Sequence, residues 1–325
     1  MLPSRRHMMK LAASATLFPV VATSVGAQSY PSKPVRWVVP FPPGGAPDII
    51  VRLVGQRLSE RMGQPFVIEN RSGASGNIGT ESVVRASPDG NTLLLIGTFN
   101  VLNAAVMINP PFDFARDIAP VAGLVRTYYV VVVHPSLPVA SIPDLIAYTK
   151  QNPSKINMAS GGNGSPHQAA GELFKMMTGT DMTHIPYRGA AQAVGDLVAG
   201  HVQIMFDNLT SSLQHIRDRK LRPLAVTSFT RSPLFPDLPT VGEFVSGYEA
   251  SGWLGVGAPK ETPHPIVERL NAEVLLALTD PAFASRLADV GGIPMPFSPD
   301  DLARLIEVET RKWAKVVAFA GIKPD

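Results

Sequence analysis

The sequence contains no cysteine, and this absence excludes several classes of site at once. Without thiols the chain can form no disulfide, no thiolate metal site and no cysteine nucleophile. It also cannot carry a lipid on an N-terminal cysteine. The stability of the folded chain must therefore come from its hydrophobic core.

An excess of charge of either sign is also lacking once the first 27 residues are set aside. The full sequence has 29 Lys and Arg residues against 26 Asp and Glu residues. Residues 1–27 contain Arg5, Arg6 and Lys10 and no acidic residue, so 26 basic residues remain against 26 acidic ones. A nucleic-acid-binding surface needs a basic stripe, which this balance does not predict. We expect no nucleic-acid partner.

The spacings of common metal and catalytic sites are missing too. The histidines form no H-x-x-x-H or H-E-x-x-H pair. The glycines at 73–79 follow G-x-x-G-x-x-G rather than the dinucleotide pattern, and a packed strand-to-helix turn explains them better. Ser165 is followed by Pro166 and His167 instead of the x-Gly of a nucleophile elbow. We predict no metal, no cofactor and no catalytic residue; a hydrolase or transferase that uses Ser165 is the alternative.

The start of the chain has the pattern of an export signal. A positive segment with Arg5 and Lys10 precedes an apolar run, Leu11–Val25, and Ala27 ends a small-residue cleavage site. The run is too short and too rich in Ala, Ser and Thr for a membrane anchor. Two adjacent arginines leave both the general secretory and the twin-arginine routes open. We expect residues 1–27 to be a signal peptide and the cysteine-free remainder to lie in a bacterial periplasm.

Strands and helices alternate in the rest of the chain. Short apolar segments predict strands at Val35–Pro40, Phe66–Glu69, Thr92–Ile96, Tyr129–Val133, Ile156–Ala159, Ile204–Phe206, Leu224–Val226 and Leu254–Val256. Helical spacing occurs at Ile49–Arg61, Ile78–Ala86, Ile142–Gln151, Gln168–Met177, Ala191–Ala199 and Ser212–Arg217. Three proline-initiated helices are predicted at Pro263–Ala277, Pro281–Val290 and Pro299–Gly321. This alternation predicts an α/β fold with mostly parallel sheets flanked by helices.

Two strand-like segments predict crossings between two domains. Tyr128–Val133 and Ser251–Pro259 are both flanked by sequence rich in proline. Two crossings would place residues 28–127 and 249–325 in one discontinuous domain and residues 128–248 in the other. A single doubly wound domain with a helical tail is the alternative. A cleft between two α/β domains is a common place for a small ligand.

Two loops predict an anion-binding site, because each follows a strand and leads into a helix start. Free backbone N–H groups and the helix dipole favour negative charge there. The candidate residues of the first loop are Phe41, Pro43, Gly44, Gly45, Ala46 and Asp48. Those of the second loop are Ser160, Gly161, Asn163, Gly164, Ser165 and His167. Thr98, Asn100 and Asp207 follow other strands and are expected to line the same cleft.

These segments resemble a known family, the periplasmic solute receptors of tripartite tricarboxylate transporters, also called the Bug or TctC family. The resemblance covers essentially the whole mature chain. Besides the two loops, it rests on Glu69-Asn70-Arg71, Ser87-Pro88-Asp89-Gly90, Pro186-Tyr187-Arg188-Gly189 and Asp196-Leu197-Val198-Ala199-Gly200.

The resemblance implies a type II periplasmic binding protein whose two domains are hinged by crossing strands and close on a small organic carboxylate. The two loops would hold that carboxylate, and the membrane permease subunits of the transporter would receive it. A sensor with a signalling partner stays open as an alternative, and a monomer is expected. Pro47 departs from the family pattern, in which a small hydroxyl residue is common, and it removes one backbone donor.

Overall fold

The computed structural model describes residues 30–107 and 111–323, so the predicted signal peptide lies outside the described residues. Strands in the described part are β1 (Val35–Val39), β2 (Phe66–Asn70), β3 (Thr92–Gly97), β4 (Ile118–Thr127), β5 (Tyr129–Val133), β6 (Asn157–Ser160), β7 (Thr183–Pro186), β8 (Ile204–Asn208), β9 (Arg222–Val226), β10 (Gly252–Pro259) and β11 (Ile293–Pro294).

Helices alternate with these strands. They are α1 (Ala46–Met62), α2 (Asn77–Val84), α3 (Thr98–Val106), α4 (Phe114–Asp117), α5 (Ile142–Gln151), α6 (Pro166–Thr178), α7 (Ala190–Ala199), α8 (Leu209–Arg217), α9 (His264–Leu278), α10 (Pro281–Asp289) and α11 (Pro299–Ala320). Across residues 30–107 and 111–323, none of them is both long enough and apolar enough to cross a membrane.

The strands form two sheets, which replace the single sheet that the one-domain alternative required. The first sheet has the order β11-β4-β10-β3-β1-β2, and the second has the order β7-β6-β8-β5-β9. Strands β1, β2, β3 and β4 run one way, whereas β10 and β11 run against them. In the second sheet only β5 opposes the other described strands. Most strands of each sheet thus share one direction, but among the described strands four neighbouring pairs are parallel and five are antiparallel, so both sheets are mixed.

The chain passes between the sheets near both predicted segments. Strand β4 ends at Thr127 in the first sheet, and β5 begins at Tyr129 in the second. The chain returns after β9, and β10 begins at Gly252 in the first sheet. Helix α11 packs against α3 and β4 on one side of the crossings and against α6 on the other, so it bridges the two halves.

Local sequence explains where the helices begin and end. Ser165 caps α6, Pro166 occupies its first turn, and Gly179 ends it with a φ of 62°. Helix α11 begins with a capping box formed by Ser298 and Asp301. The predicted helices Gln168–Met177 and Pro299–Gly321 correspond to α6 and α11.

The sequence prediction missed strands β4, β7 and β11 and helices α3 and α4. Pro120, Gly123 and Arg126 interrupt the apolar pattern of β4, and its register with β10 shifts twice. Strand β7 lies at a sheet edge and is only partly buried. Helix α3 begins directly after Gly97 without a loop to mark it. In each case the tertiary environment outweighs a weak local signal.

Candidate functional site

A cavity of about 450 Å³ lies between the two sheets. The first sheet and its helices contribute Phe41, Ala46, Pro47, Ile50, Thr98, Phe99, Gly252, Trp253, Leu254, Ala288, Val290, Gly291 and Ile293. The first crossing and the second sheet contribute Thr127, Tyr128, Tyr129, Pro166, His167, Asn208, Leu209, Thr210, Ser211, Ser232, Pro233 and Leu234. No lysine, arginine, aspartate or glutamate is among these lining residues.

Four helices begin at this cavity: α1 and α3 from the first sheet, and α6 and α8 from the second. They follow strands β1, β3, β6 and β8. Within each sheet these strands run in the same direction, so their carboxyl ends lie at the same edge and the helix starts come close together. The first N–H groups of a helix have no partner within it, and the helix dipole adds partial positive charge there. Neutral groups from both halves of the molecule therefore create a site that favours an anion.

The start of α8 differs from the other three. The backbone N–H of Leu209 donates to the carbonyl oxygen of Tyr128 at 3.0 Å. The fully buried side chain of Asp207 accepts hydrogen bonds from the hydroxyls of Ser211 and Ser212, at 2.5 and 2.6 Å. An acidic group of the protein itself thus already lies at this helix start.

The first loop is held in place by Asp48, which is buried and does not line the cavity. Its Oδ2 accepts from Gly44 N at 2.9 Å and Arg52 Nε at 3.0 Å, and its Oδ1 accepts from Asn70 Nδ2 at 2.9 Å. Burial opposes ionisation of Asp48, but these hydrogen bonds outweigh it and lower the pKa of the carboxyl. Asp48 therefore fixes the loop in front of the cavity.

Phe41 and Ala46 from this loop line the cavity, and the ring of Phe41 packs edge-on against Phe99 at 4.7 Å. Pro43, Gly44 and Gly45 lie outside the lining. The loop thus contributes the aromatic ring of Phe41 and the start of α1 at Ala46 to the cavity lining.

The second loop, residues 160–167, is called the serine loop below, and hydrogen bonds organise it behind the cavity. Ser165 Oγ accepts from Gln168 N at 3.3 Å, and Gln168 Oε1 accepts from Gly164 N at 2.8 Å. Ser160 Oγ lies 2.7 Å from His184 Nε2. Burial first, and Lys175 second, lower the pKa of His184 to about 4, so its ring is neutral at neutral pH.

Of the candidates in the serine loop, only His167 lines the cavity; Ser160, Gly161, Asn163, Gly164 and Ser165 do not. The ring of His167 packs edge-on against Tyr129 at 5.7 Å, and its Nε2 lies 3.1 Å from Asn208 Nδ2. Burial lowers the pKa of His167, although Asp207 acts in the opposite direction. A neutral ring that accepts from Asn208 at Nε2 carries its proton on Nδ1, which has no partner among the described residues.

Thr98 lines the cavity, whereas Asn100 supports it from behind. Thr98 Oγ1 accepts from the backbone N–H of Trp253 at 3.1 Å, which joins α3 to β10. Asn100 Oδ1 accepts from Gly97 N at 2.9 Å, and its Nδ2 donates to Thr80 Oγ1 at 3.0 Å. Asp207 also lies outside the lining. Whether any candidate residue contacts a ligand stays a prediction.

Several parts of the lining were not predicted from the sequence. They are the starts of helices α3 and α8, the segment Ser232–Leu234, Val290 and Gly291 in the turn between α10 and β11, and Ile293 at the start of β11. The two halves touch at this turn: a Cβ added to Gly291 would lie 2.3 Å from Thr210 Cγ2. The positive φ of Gly291, 79°, is typical of a turn glycine, but nothing in the sequence shows what it faces.

The family described as "Tripartite tricarboxylate transporter family receptor" matches residues 15–322. The chain belongs to this receptor family. The family is one of periplasmic solute-binding proteins, and the resemblance found in the sequence is confirmed.

Individual relatives match over nearly their whole length. Protein BugT of Bordetella pertussis is 37% identical over 308 residues, which cover 93% of this chain and 94% of BugT. A Pseudomonas protein from the tcbD–tcbE intergenic region is 39% identical over 291 residues, 89% of this chain and 87% of that protein.

Solved structures agree with the predicted fold class. An R. palustris protein solved with adipate has a TM-score of 0.79 and 40% identity, covering 91% of this chain and all of the other. MatC from Rhodopseudomonas palustris with bound malate has a TM-score of 0.74 and 31% identity, covering 89% of this chain and all of MatC. The two-domain periplasmic-binding-protein fold is confirmed.

Proposed function

We propose that this receptor captures a small organic carboxylate in the cavity between its domains and delivers it to the permease subunits of a tripartite tricarboxylate transporter. The observation that carries the proposal is the convergence of helix starts α1, α3 and α6, from both halves, on one cavity without a competing acidic lining residue. The relatives solved with adipate and malate support the same ligand class.

The proposed domains are residues 28–127 with 249–325, and residues 128–248. The passage from β4 to β5 between Thr127 and Tyr129 supports the first boundary. The proposed export signal, residues 1–27, would place the mature receptor in the periplasm, where it acts as a monomer. Its proposed partner there is the permease rather than a signalling protein.

Closure couples binding to recognition by the permease. Donors from the two domains reach the same carboxylate only when the domains approach, so the ligand favours the closed state by contacts that the open state lacks. The closed shape is then the signal that the permease reads.

A thermal-shift screen of the mature protein against organic acids and amino acids tests the capture step. We expect carboxylates to raise the Tm, because a ligand that binds only the folded state stabilises it. A panel in which no organic anion raises the Tm would contradict the proposal.

A matched pair of variants tests the helix starts. Ala46 is exposed at the first turn of α1, where both Asp and Asn are tolerated. Ala46→Asp places a negative charge at the cavity and should weaken carboxylate binding by about tenfold or more. In Ala46→Asn the new side chain has nearly the same size as aspartate but no charge, so this variant should bind the carboxylate with an affinity close to that of the wild type. Equal binding by the two variants would exclude the start of α1 from the site.

Delivery needs a separate experiment. Crosslinking of the receptor to permease-containing membranes should increase when the ligand is present. Ligand-dependent capture of a sensor kinase instead of the permease would support the signalling alternative.

The hydrolase alternative is tested at Ser165. Its Oγ accepts from Gln168 N as a helix cap, so Ser165→Ala should cost about 1 kcal/mol of stability. The variant should leave ligand binding unchanged. Turnover of a ligand by the wild type that disappears in this variant would support the enzyme.

A further inference from the structure

A hydrogen-bond network behind the serine loop joins the two ends of that loop to strand β7. It consists of Ser160 at the end of β6, Gln168 in the first turn of α6, and His184 on β7. Ser160 is fully buried, and Gln168 is 6% exposed. His184 Nε2 lies 2.7 Å from Ser160 Oγ, and His184 Nδ1 lies 3.1 Å from Gln168 Nε2. One ring therefore contacts both ends of the segment between β6 and α6.

The sheet register explains why His184 reaches both residues. In the parallel pair β6 and β7, His184 lies opposite Met158, and Ser160 is two positions further along β6. Residues two positions apart on a strand face the same side of the sheet, so these three side chains share one face. Helix α6 packs on that face, since a Cβ added to its Gly171 would lie 2.1 Å from Met158 Sδ. The ring of His184 thus lies between the sheet and α6.

The donors and acceptors of the network fix the direction of each hydrogen bond. The backbone N–H of Gly164 can only donate, and it donates to Gln168 Oε1 at 2.8 Å, so the amide nitrogen of Gln168 faces His184. That nitrogen can only donate as well, so His184 Nδ1 accepts, and the proton of the neutral ring lies on Nε2. Nε2 donates to Ser160 Oγ, whose own hydroxyl donates to the carbonyl oxygen of Gly162 at 3.0 Å. A ring with a proton on Nδ1 would break this sequence of bonds.

These bonds hold the backbone of the serine loop. Ser160 Oγ also accepts from Gly162 N at 3.2 Å, so both backbone polar groups of Gly162 are bound. The φ values of Gly162 and Gly164 are 133° and 69°, which favour glycine, and at these angles both N–H groups reach the network. Helix α6 follows directly, and its first two residues, Pro166 and His167, line the cavity. The network thus sets where this helix start lies relative to β6.

The electrostatic surroundings of His184 keep its ring in the form that the network requires. Burial first, and Lys175 on α6 second, lower the pKa of His184 to about 4. Lys175 itself pairs with Glu172 on the same helix, at 3.0 Å. At neutral pH the ring therefore carries one proton, and Nδ1 stays available to accept from Gln168.

We propose that His184 is a positioning residue for ligand binding: with its single proton on Nε2, it joins Ser160 to Gln168 and holds the start of α6 in the orientation that the ligand needs. His184 does not line the cavity, so it acts on the ligand through the serine loop. This inference rests on the proposed function. Without the network the ligand would have to order the loop itself, and that cost appears as lost affinity.

Three substitutions of His184 separate its two hydrogen bonds. His184→Gln keeps an amide donor near the position of Nε2 for Ser160, and His184→Asn keeps an acceptor near the position of Nδ1 for Gln168. His184→Phe keeps a ring without either polar group. The matched control is His201→Phe, since the side chain of His201 is 71% exposed and does not line the cavity.

Calorimetry of the mature proteins uses whichever of adipate, malate and benzoate binds the wild type most tightly. We expect His184→Phe to raise the Kd by about tenfold or more, His184→Gln and His184→Asn to give intermediate values, and the control to keep the wild-type Kd. A merely structural role would lower the Tm and leave the Kd unchanged. A wild-type Kd in His184→Phe would therefore overturn the inference and leave the proposed function standing. Binding of no acid by the wild type would overturn both.

Nitrogen NMR of the wild type tests the network without any substitution. At neutral pH we expect the proton of His184 on Nε2 and a bare Nδ1, together with slow hydrogen exchange at the backbone amides of Gly162 and Gly164. A ring that carries its proton on Nδ1, or a charged ring, would overturn the inference.

Discussion

Two regions between the domains, the cavity and the hinge cluster, differ in charge: the cavity has no lysine, arginine, aspartate or glutamate in its lining, whereas the hinge cluster consists largely of charged side chains. The hinge cluster consists of Arg126, Glu249, Ser251, Glu309 and Lys312. Lys312 Nζ lies 3.0 Å from Glu249 Oε2 and also contacts Glu309, and Arg126 Nη1 donates to Ser251 Oγ at 3.2 Å. The histidine in the lining of the cavity, His167, has a pKa that is lowered by burial, which favours the neutral ring.

The hinge cluster joins three parts of the chain. Arg126 is near the end of β4, Glu249 and Ser251 precede β10, and Lys312 belongs to α11. Both crossing segments are thus tied to one long helix. Burial raises the pKa of Glu309, whereas Lys312 and Ser251 outweigh the effect of burial at Glu249 and lower its pKa.

Under the proposed function, this difference has a physical reason. A fixed cation in the cavity would attract an anion in the open state as well as in the closed state. Dipoles supplied by both domains act together only after closure, so they make affinity depend on conformation. The charges are instead placed where the chain passes between the domains and where three segments must stay joined.

The largest effect should come from removing the cation of the hinge cluster. Lys312→Met leaves Glu249 and Glu309 without their shared partner; because Glu309 is buried while Lys312 and Glu249 are only partly buried, the loss should cost about 2 kcal/mol. Urea unfolding of the mature protein measures the loss. Lys315→Met, at an exposed position of the same helix, should change stability by less than about 0.5 kcal/mol. Equal stability of the two variants would mean that the cluster is not needed for folding.

A smaller effect is expected where the halves touch beside the cavity. Gly291→Ala places a methyl group against Thr210, which opposes closure and should raise the Kd for the ligand by about tenfold. Gly321→Ala is the matched control: its φ is similarly positive, 61°, but nothing lies within 4 Å of the added Cβ. Both variants carry the backbone strain, and only the first should lose affinity. Similar affinities would show that closure does not require this contact.

The smallest effect is expected on the pH dependence of stability and comes from His184, whose ring is neutral at neutral pH. The folded-state pKa of His184, about 4, lies below its usual value of 6.5, so only the unfolded chain gains a proton between these pH values. Stability should therefore fall as the pH falls from about 6.5 to 4, by about 1 kcal/mol after allowance for solvent screening.

The variant His184→Gln should lose this part of the pH dependence, as measured by unfolding free energies from about pH 7.5 to 4.5. His201→Gln, at an exposed position, should keep it. A wild-type slope in both variants would show that His184 does not destabilise the fold in acid.

The elements that the sequence predicted well carry strong local signals. Strand β5 is a run of aromatic and β-branched residues, Tyr129–Val133, and all of it is buried. Helix α6 has Ser165 as its cap and Gly179 as its stop. The loops before α1 and α6 were found because glycine and proline interrupt otherwise regular patterns there.

Several residues chosen from those loops and from the ends of other strands lie outside the cavity lining, because adjacency in sequence does not determine which side chains face a cavity. Asp48, Asn100 and Ser160 all hold the backbone behind the lining. Other lining residues, such as Val290 and Ile293, have no chemical signal of their own, since isolated apolar residues look like core.

The sequence by itself determined the alternation of strands and helices, the two helix-start loops, the neutral charge balance and the family. These follow from the order and periodicity of residues within about twenty positions of one another. Only the tertiary structure decided that four helix starts meet, that one of them already holds Asp207, and that Arg126, Glu249 and Lys312 form one cluster. The physical reason is that these contacts join residues from different strands and helices. Such positions are set by sheet order and by the way the two halves pack around the crossings, which no local pattern encodes.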